Sequence, residues 1–184
     1  ISNQVILKNN SEYHKLFNDP RIKPVFPTAN NGFIEHHQLL LSSALGKFFM
    51  FANAGDWWHK DFISSCVNVL EDKPDAVLCT TNTSFVKNSR FSKAKDQIDT
   101  TNTESLLERL YLTMNNTLWS NNAFFSVIRT DVAKEIYFKH RFGFDLFFIY
   151  NLSLKGHFVQ LPVFYHRRGP KHYKTTIEET FKRL

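Results

Sequence analysis

Residues 46–58 are Gly-Lys-Phe-Phe-Met-Phe-Ala-Asn-Ala-Gly-Asp-Trp-Trp, an apolar run that passes directly into a polar turn. An apolar run with Gly46 at one end and Asn-Ala-Gly-Asp at the other is typical of a buried strand. Because ligands in open α/β sheets bind just beyond the carboxyl ends of the strands, this pattern would place Asp56 at a ligand crevice. The alternative is a solvated aspartate in a turn after a core strand. The segment alone leaves both interpretations open.

The composition is that of one globular domain over residues 1–184. Hydrophobic residues make up 42% of the chain and charged residues 22%, and 184 residues are enough to bury a sizeable core. The formal net charge of +6 favours anionic partners, such as phosphates, nucleotides, nucleic acid or an acidic membrane surface. Many globular domains are this basic without such a role.

Cysteine content and hydropathy narrow the class of protein further. Two cysteines, Cys66 and Cys79, are too few for a disulfide framework or a zinc cluster, and both are expected to be buried free thiols. No apolar run approaches the roughly 20 residues that a membrane span needs, and no signal-peptide pattern opens the chain. The expected location is therefore cytoplasmic, with a peripheral membrane contact left open.

Strand and helix patterns alternate along the first 80 residues. Three segments have helical spacing or capping, and Pro74 predicts the end of the third helix. The resulting order of strand and helix, repeated to a fourth strand, predicts an α/β fold with a mostly parallel central sheet flanked by helices. The predicted strands are 5–7, 21–27, 46–51 and 75–80, and the predicted helices begin at Ser11 and cover 34–45, with Leu39, Leu40 and Leu41 buried, and 62–70.

The second half of the chain begins with a polar, lysine-rich stretch over 83–103, which predicts a loop. A capping box of Thr101 and Glu104 predicts the helix that follows. The remaining predicted elements are a strand over 123–128, a short helix over 131–136, a helix from Phe144 to Gly156 and a strand over 158–164. A basic cluster at 166–172 comes next, and it is equally compatible with a diphosphate clamp and with a solvated tail.

Several short motifs occur in a fixed order along nearly the whole chain. They are Lys8-Asn9-Asn10-Ser11, Asn30-Asn31-Gly32, His36-His37-Gln38, Ala44-Leu45-Gly46, Asn53-Ala54-Gly55-Asp56-Trp57, Lys60-Asp61-Phe62, Lys73-Pro74-Asp75-Ala76-Val77, Phe144-Asp145 with Gly156, and Arg167-Arg168. In order and spacing the set resembles the family 2 glycosyltransferases with the GT-A fold. The resemblance implies a single GT-A-like domain, and the first strand and helix of the family pattern are expected to be missing ahead of Ile1, in a fragment or a trimmed domain.

The chain departs from the family pattern at positions that matter for chemistry. The family holds Mn or Mg with carboxylates against the sugar diphosphate, because hard cations prefer charged oxygen ligands. Here Asn53 and Gly55 stand at two of those positions, so Asp56 alone remains as an anionic metal ligand. The uridine-reading aspartate is replaced by Lys8, and the arginine of the Ala-Arg-Asn motif by His37.

The resemblance implies inverting transfer of a sugar from a nucleotide diphosphate to an acceptor hydroxyl, in surface polysaccharide or glycoconjugate synthesis. Asp145 matches the general base. Asp56 would hold a metal or sugar hydroxyls, and Trp57 or Trp58 would stack on the sugar or the acceptor. The remaining residues that would bind the nucleotide-sugar are Asn9, Ser11, His37, Asn53, Arg167 and Arg168, with Lys171 as a further phosphate contact.

Two other classes of function remain open. A degenerate GT-A module would bind a nucleotide or glycan without transferring a sugar, and the lost carboxylates fit that reading. A basic nucleic-acid-binding domain is supported by charge and scattered aromatic residues, but no nucleic-acid motif accompanies them. The expected partners are therefore a nucleotide-sugar donor and a glycan or lipid-linked acceptor, and no nucleic acid.

Overall fold

The computed structural model describes residues 18–25, 32–53, 55–87, 90–93, 97–118, 121–137 and 143–169. The chain divides into two compact units, Ile1–Phe33 and Ile34–Leu184. In the first unit Asp19 and Arg21 form an ion pair at 2.6 Å, and residues 22–25 are not in a strand, so the predicted strand over 21–27 is wrong over that part. Gly32 has a φ of 97°, as expected for a glycine in the loop before a helix. The prediction of a single domain stays a prediction.

Five α-helices, one 3-10 helix and six strands occur in the described parts of the chain. In chain order the helices are α1 (Phe33–Ser42), α2 (Phe62–Asp72), α3 (Leu106–Thr117), a 3-10 helix (Asn122–Phe125), α4 (Thr130–Lys134) and α5 (Phe144–Lys155). The strands are β1 (Phe48–Phe49), β2 (Trp57–Trp58), β3 (Ala76–Lys87), β4 (Arg90–Lys93), β5 (Val127–Arg129) and β6 (His157–Arg168).

The strands form one mixed sheet in the order β1-β5-β3-β6-β2, with β4 paired to β3. The long central strands β3 and β6 are parallel, and the other four pairings are antiparallel. The α/β class with helices flanking a central sheet is confirmed, but these pairings are not mostly parallel. The order of strands and helices along the sequence does not reveal the strand directions. Strands joined without a full helical crossover, such as β3 and β4, are free to run antiparallel. The predicted strand over 5–7 lies outside the described residues.

The sheet separates two hydrophobic layers. On one face Leu78, Ile128 and Phe158 pack with α5, and on the other face their chain neighbours Cys79, Val127 and Val159 pack with α2. Successive side chains of a strand point to opposite faces, so three central strands with two apolar residues in succession supply both layers. Cys66 on α2 and Cys79 on β3 are buried free thiols, as predicted.

Two helices show why the apolar spacing predicted them. In α2 the buried residues are Phe62, Cys66 and Leu70, which repeat every four positions, and the helix ends before Pro74. In α5 the buried apolar residues Phe148, Ile149 and Leu152 pack in the core layer on one face of the sheet, and Gly156 is the C-terminal cap residue. A Cβ on Gly156 would lie 2.4 Å from Val77 Cγ1, so the turn from α5 into β6 has no room for a side chain.

The segment around the predicted strand over 46–51 is less regular than expected. Helix α1 ends at Ser42 rather than 45, and Leu41 alone of the three successive leucines is buried, because successive helical positions are about 100° apart. Strand β1 is only two residues long and lies at one end of the described strand order, so it is not a central strand. Phe51 nevertheless enters the core, with 4% of its surface exposed.

Three predictions in the second half were wrong. Part of the polar stretch over 83–103 is strand, because β3 continues to Lys87 and β4 follows, and Ile98 is in the core. The cap of α3 is Ser105, whose hydroxyl accepts from the Glu108 N–H at 3.1 Å, so the capping pattern applies four residues later than predicted. The predicted strand over 123–128 begins as a 3-10 helix, and only its last residues enter β5.

Candidate functional site

The polar turn after β1 places Asp56 beside the end of β6. The Asp56 N–H donates to the Asn53 carbonyl at 3.2 Å, and Gly55 takes a φ of 94°, a left-handed conformation that favours glycine. Trp57 and Trp58 then pair antiparallel with Arg167 and His166. This pairing brings the turn against the last residues of a strand that is more than 100 residues away in the sequence.

Asp56 is almost completely buried, with 4% of its side chain exposed. Its Oδ1 accepts from the Gly169 N–H at 3.0 Å, and its Oδ2 lies 3.3 Å from His166 Nε2. Arg168 Nε is 3.9 Å from the same Oδ2. Both carboxylate oxygens therefore bind the end of β6, and Asp56 is not a solvated turn residue.

His166 is fully buried behind this carboxylate. Its ring stacks on Trp58 with centroids 5.1 Å apart, and Nδ1 lies 3.4 Å from Thr83 Oγ1. Burial lowers the pKa of His166, and the hydrogen bond that His166 donates to Asp56 offsets part of this effect. Because a carboxylate only accepts hydrogen bonds, Nε2 carries the proton that faces Asp56. The predicted basic cluster thus contains a neutral, structural histidine.

The two arginines of the predicted clamp point in different directions, because they are successive residues of a strand. Arg168 lies on the side of Asp56, where Nη1 donates to Asn122 Oδ1 at 3.3 Å and the guanidinium carbon is 4.9 Å from the Phe125 ring centroid. Arg167 lies over the Trp57 ring at 4.9 Å. The structure therefore brings Arg168, and not Arg167, to the aspartate.

Asp145 occupies the first turn of α5, two residues after Gly143, whose φ is 64°. Its Oδ2 accepts from Asn121 Nδ2 at 3.2 Å. Asn121 and Asn122 are adjacent, so Asp145 and Arg168 contact neighbouring residues of one turn. Neither asparagine is predicted from the sequence, because nothing in their local pattern distinguishes them from ordinary turn residues.

The other predicted site residues differ in their surroundings. His37 is half-buried, and its ring lies 5.1 Å from Phe51, 5.7 Å from Phe124 and 5.1 Å from Phe144. Asn53 is exposed, and Trp57 is 45% exposed. Asn9, Ser11 and Lys171 lie outside the described residues.

The donors at the turn do not fit a divalent metal ion. Within the described ranges no group of three or more His, Cys, Asp or Glu side chains is placed to hold one. Asn53 and Gly55 contribute no carboxylate, and both oxygens of Asp56 accept hydrogen bonds beside an arginine. A hard cation prefers several charged oxygens, and a nearby guanidinium opposes its binding.

The chain has a GT-A fold, with a mixed central sheet between two helical layers. The chain belongs to glycosyl transferase family 2, whose family model matches residues 5–137. The matched range contains the Asp56 turn and both asparagines, whereas Asp145 and Arg168 lie beyond it. The resemblance to family 2 glycosyltransferases and the α/β GT-A class predicted from the sequence are confirmed, although the described strand pairings are not mostly parallel.

Among solved structures, the chain is similar to the crystal structure of S. aureus TarS 1-349, with a TM-score of 0.64 and 16% sequence identity. The match covers 88% of this chain and 48% of that one, so the chain spans about half the length of that structure. No curated protein matches the chain. In the portion that the structure describes, no helix combines the length and apolar content that crossing a membrane requires.

Proposed function

We propose that this chain is the catalytic domain of a glycosyltransferase that moves a sugar from a nucleotide-diphosphate donor to an acceptor hydroxyl with inversion. The observation that carries the proposal is the convergence of Asp145 and Arg168 on adjacent residues. A general base and a cation for the leaving group are the two functions that this reaction needs. Membership of glycosyl transferase family 2 supports the same reaction class.

In the proposed reaction Asp145 accepts the proton of the acceptor hydroxyl. The acceptor oxygen forms a bond to the anomeric carbon on the face opposite the diphosphate. The bond between that carbon and the diphosphate oxygen breaks, and the nucleotide diphosphate leaves with the electron pair. Asp145 is half-buried at a helix N-terminus, and Asn121 binds one of its oxygens, which leaves the other oxygen for the incoming hydroxyl.

Arg168 would neutralise the charge that develops on the leaving diphosphate. Its side chain is 20% exposed, so part of the guanidinium is accessible while Asn122 and Phe125 fix its position. An arginine binds phosphate oxygens through a planar set of donors, and its positive charge needs no metal. Arg167 stays a proposed second phosphate contact, from its place above the exposed Trp57. Asn9, Ser11, His37 and Asn53 stay proposed contacts of the nucleotide-sugar.

The test is a turnover assay over a panel of nucleotide-diphosphate sugars, with and without Mn²⁺, on the unmodified chain and on Asp145→Asn. General-base catalysis contributes about 10²–10⁴-fold, so we expect kcat to fall by at least about 100-fold while donor binding persists. Asp131→Asn is the matched control, because Asp131 also lies in the first turn of a helix but is exposed on α4. Wild-type turnover by Asp145→Asn would remove that residue from the mechanism.

One observation favours a second candidate, a GT-A domain that binds a nucleotide or glycan without transfer. Two carboxylates of the family's metal-binding motif are replaced by Asn53 and Gly55. The remaining acid, Asp56, accepts hydrogen bonds from the end of β6. Donor binding with neither transfer nor hydrolysis in the same assay would support this candidate.

The proposed transferase uses a glycan or a lipid-linked acceptor and acts in polysaccharide or glycoconjugate synthesis. Its proposed location is the cytoplasm, with a peripheral membrane contact.

A further inference from the structure

We propose that Asn121 and Asn122 are paired positioning residues, one fixing the base Asp145 through its amide N–H and the other fixing Arg168 through its carbonyl oxygen. This inference rests on the proposed transferase function and extends it to two residues outside the predicted site. Their side chains contact groups 24 and 46 positions further along the chain. The turn therefore couples the two halves of the proposed reaction.

An ordinary capping role does not explain Asn121. It is the N-terminal cap residue of the 3-10 helix Asn122–Phe125, where an asparagine side chain commonly accepts from a backbone N–H. Here its side chain makes no capping hydrogen bond and donates to Asp145 instead. Among the described residues its buried Oδ1 has no hydrogen-bond partner, which is an unfavourable arrangement for a residue with a purely structural role. Asn122 is 2% exposed, so the acceptor of its bond to Arg168 is held in the interior.

The chemistry of the two partners dictates opposite amide orientations. A carboxylate only accepts hydrogen bonds, and a guanidinium only donates them. Asn121 must therefore present its NH₂ group to Asp145, and Asn122 must present its oxygen to Arg168. An asparagine offers both kinds of group, so adjacent identical residues can hold two oppositely charged side chains.

Two consequences follow for the reaction. The bond from Asn121 fixes the side-chain orientation of Asp145, so its other oxygen is directed consistently at the acceptor hydroxyl. The bond from Asn122 holds Arg168 against the leaving diphosphate. Both asparagines belong to one turn, so the backbone sets the distance between the base Asp145 and the guanidinium of Arg168. Catalysis by proximity depends on holding the reacting groups at the correct distance.

The same substitution at the two positions tests this asymmetry. Asn122→Asp keeps an acceptor for Arg168 but places a second carboxylate beside its guanidinium, so donor Kd should rise by about tenfold or more while kcat falls less than in Asn121→Asp. Asn121→Asp loses the donor and puts a second carboxylate beside Asp145, so kcat should fall by about tenfold or more with donor Kd unchanged. Asn122→Ala should raise donor Kd by about tenfold, since charged hydrogen bonds are stronger than neutral ones. Asn115→Asp, at an exposed position of α3, is the matched control.

The melting temperature of each variant shows whether it folds, so loss of folding is distinguished from loss of activity. Should Asn121→Asp fail to fold, Asn121→Ser is a smaller change at the same position. Wild-type kcat in the folded Asn121 variants, or equal responses of Asn121→Asp and Asn122→Asp, would overturn the proposal. Turnover by the unmodified chain tests the proposed function separately from the asparagine proposal. Turnover by that chain and its loss in Asp145→Asn leave the function standing even where the asparagine proposal fails. A wild-type chain that turns over no donor refutes both.

Discussion

Replacing Asp56 by alanine should destabilise the fold, because this carboxylate binds the turn to the end of β6. Truncation removes the acceptor for the Gly169 N–H at 3.0 Å and for His166 Nε2 at 3.3 Å. A buried donor without a partner costs about 1–3 kcal/mol. His166 is fully buried and should incur about 2 kcal/mol, whereas the half-buried Gly169 N–H can reach water and should incur about 1 kcal/mol. The sum of about 3 kcal/mol corresponds to a fall in Tm of roughly 6–12 °C for a chain of this size.

The assay is thermal unfolding followed by circular dichroism, with and without Mn²⁺. Asp56→Asn keeps an acceptor for Gly169, so it should lose about half as much stability. Asp61→Ala is the control, since Asp61 lies five residues further on with 45% of its side chain exposed and should change Tm little. If Asp56→Ala has the same Tm as the wild-type protein, the structural role assigned to Asp56 is incorrect. If Mn²⁺ raises the Tm of wild type but not of Asp56→Asn, the residue is a metal ligand after all.

Three further predictions concern stability and are measured by chemical or thermal denaturation. Because the pKa of His166 is lowered in the folded state, its contribution to stability is fully present above the ordinary value of 6.5 and should be lost as pH falls from 6.5 through the lower folded-state pKa; a flat stability profile below pH 6.5 would contradict this. Gly156→Ala should cost about 1–3 kcal/mol through the clash with Val77, and a neutral effect would show that the turn relaxes. Leu152→Ala should cost about 2–5 kcal/mol because Leu152 is fully buried, whereas Leu107→Ala, at a position 74% exposed, should be nearly neutral; similar costs would contradict the burial.

Apolar periodicity predicted the parts of the fold in which local pattern and tertiary packing agree. Helix α2, with Phe62, Cys66 and Leu70 on one side, and the apolar cores of β3 and β6 were found this way. Periodicity failed for the end of β3 and for β4, where polar residues pair as a hairpin. It also could not give strand direction, because that depends on how each connection crosses the sheet.

The candidate site was predictable in part, because motifs identified single residues but not their partners. Asp56 was placed correctly after an apolar strand, yet its partners His166 and Gly169 lie 110 and 113 residues away. The predicted arginine pair was divided by the alternation of side chains in β6. Asn121 and Asn122 had no detectable signal, since their importance arises only when α5 and β6 fold against their turn.

The backbone at Gly169 lies so close to the turn that a Cβ there would be 2.2 Å from the Gly55 carbonyl oxygen. The backbones of Gly169 and Gly55 are in direct contact. A residue inserted between Asn53 and Asp56 would therefore force the backbone of the turn into the backbone at Gly169. Loops usually tolerate insertions well, and this one should not. In a library of single-residue insertions, the Asn-Ala-Gly-Asp turn is therefore expected to be among the least permissive surface loops of the chain.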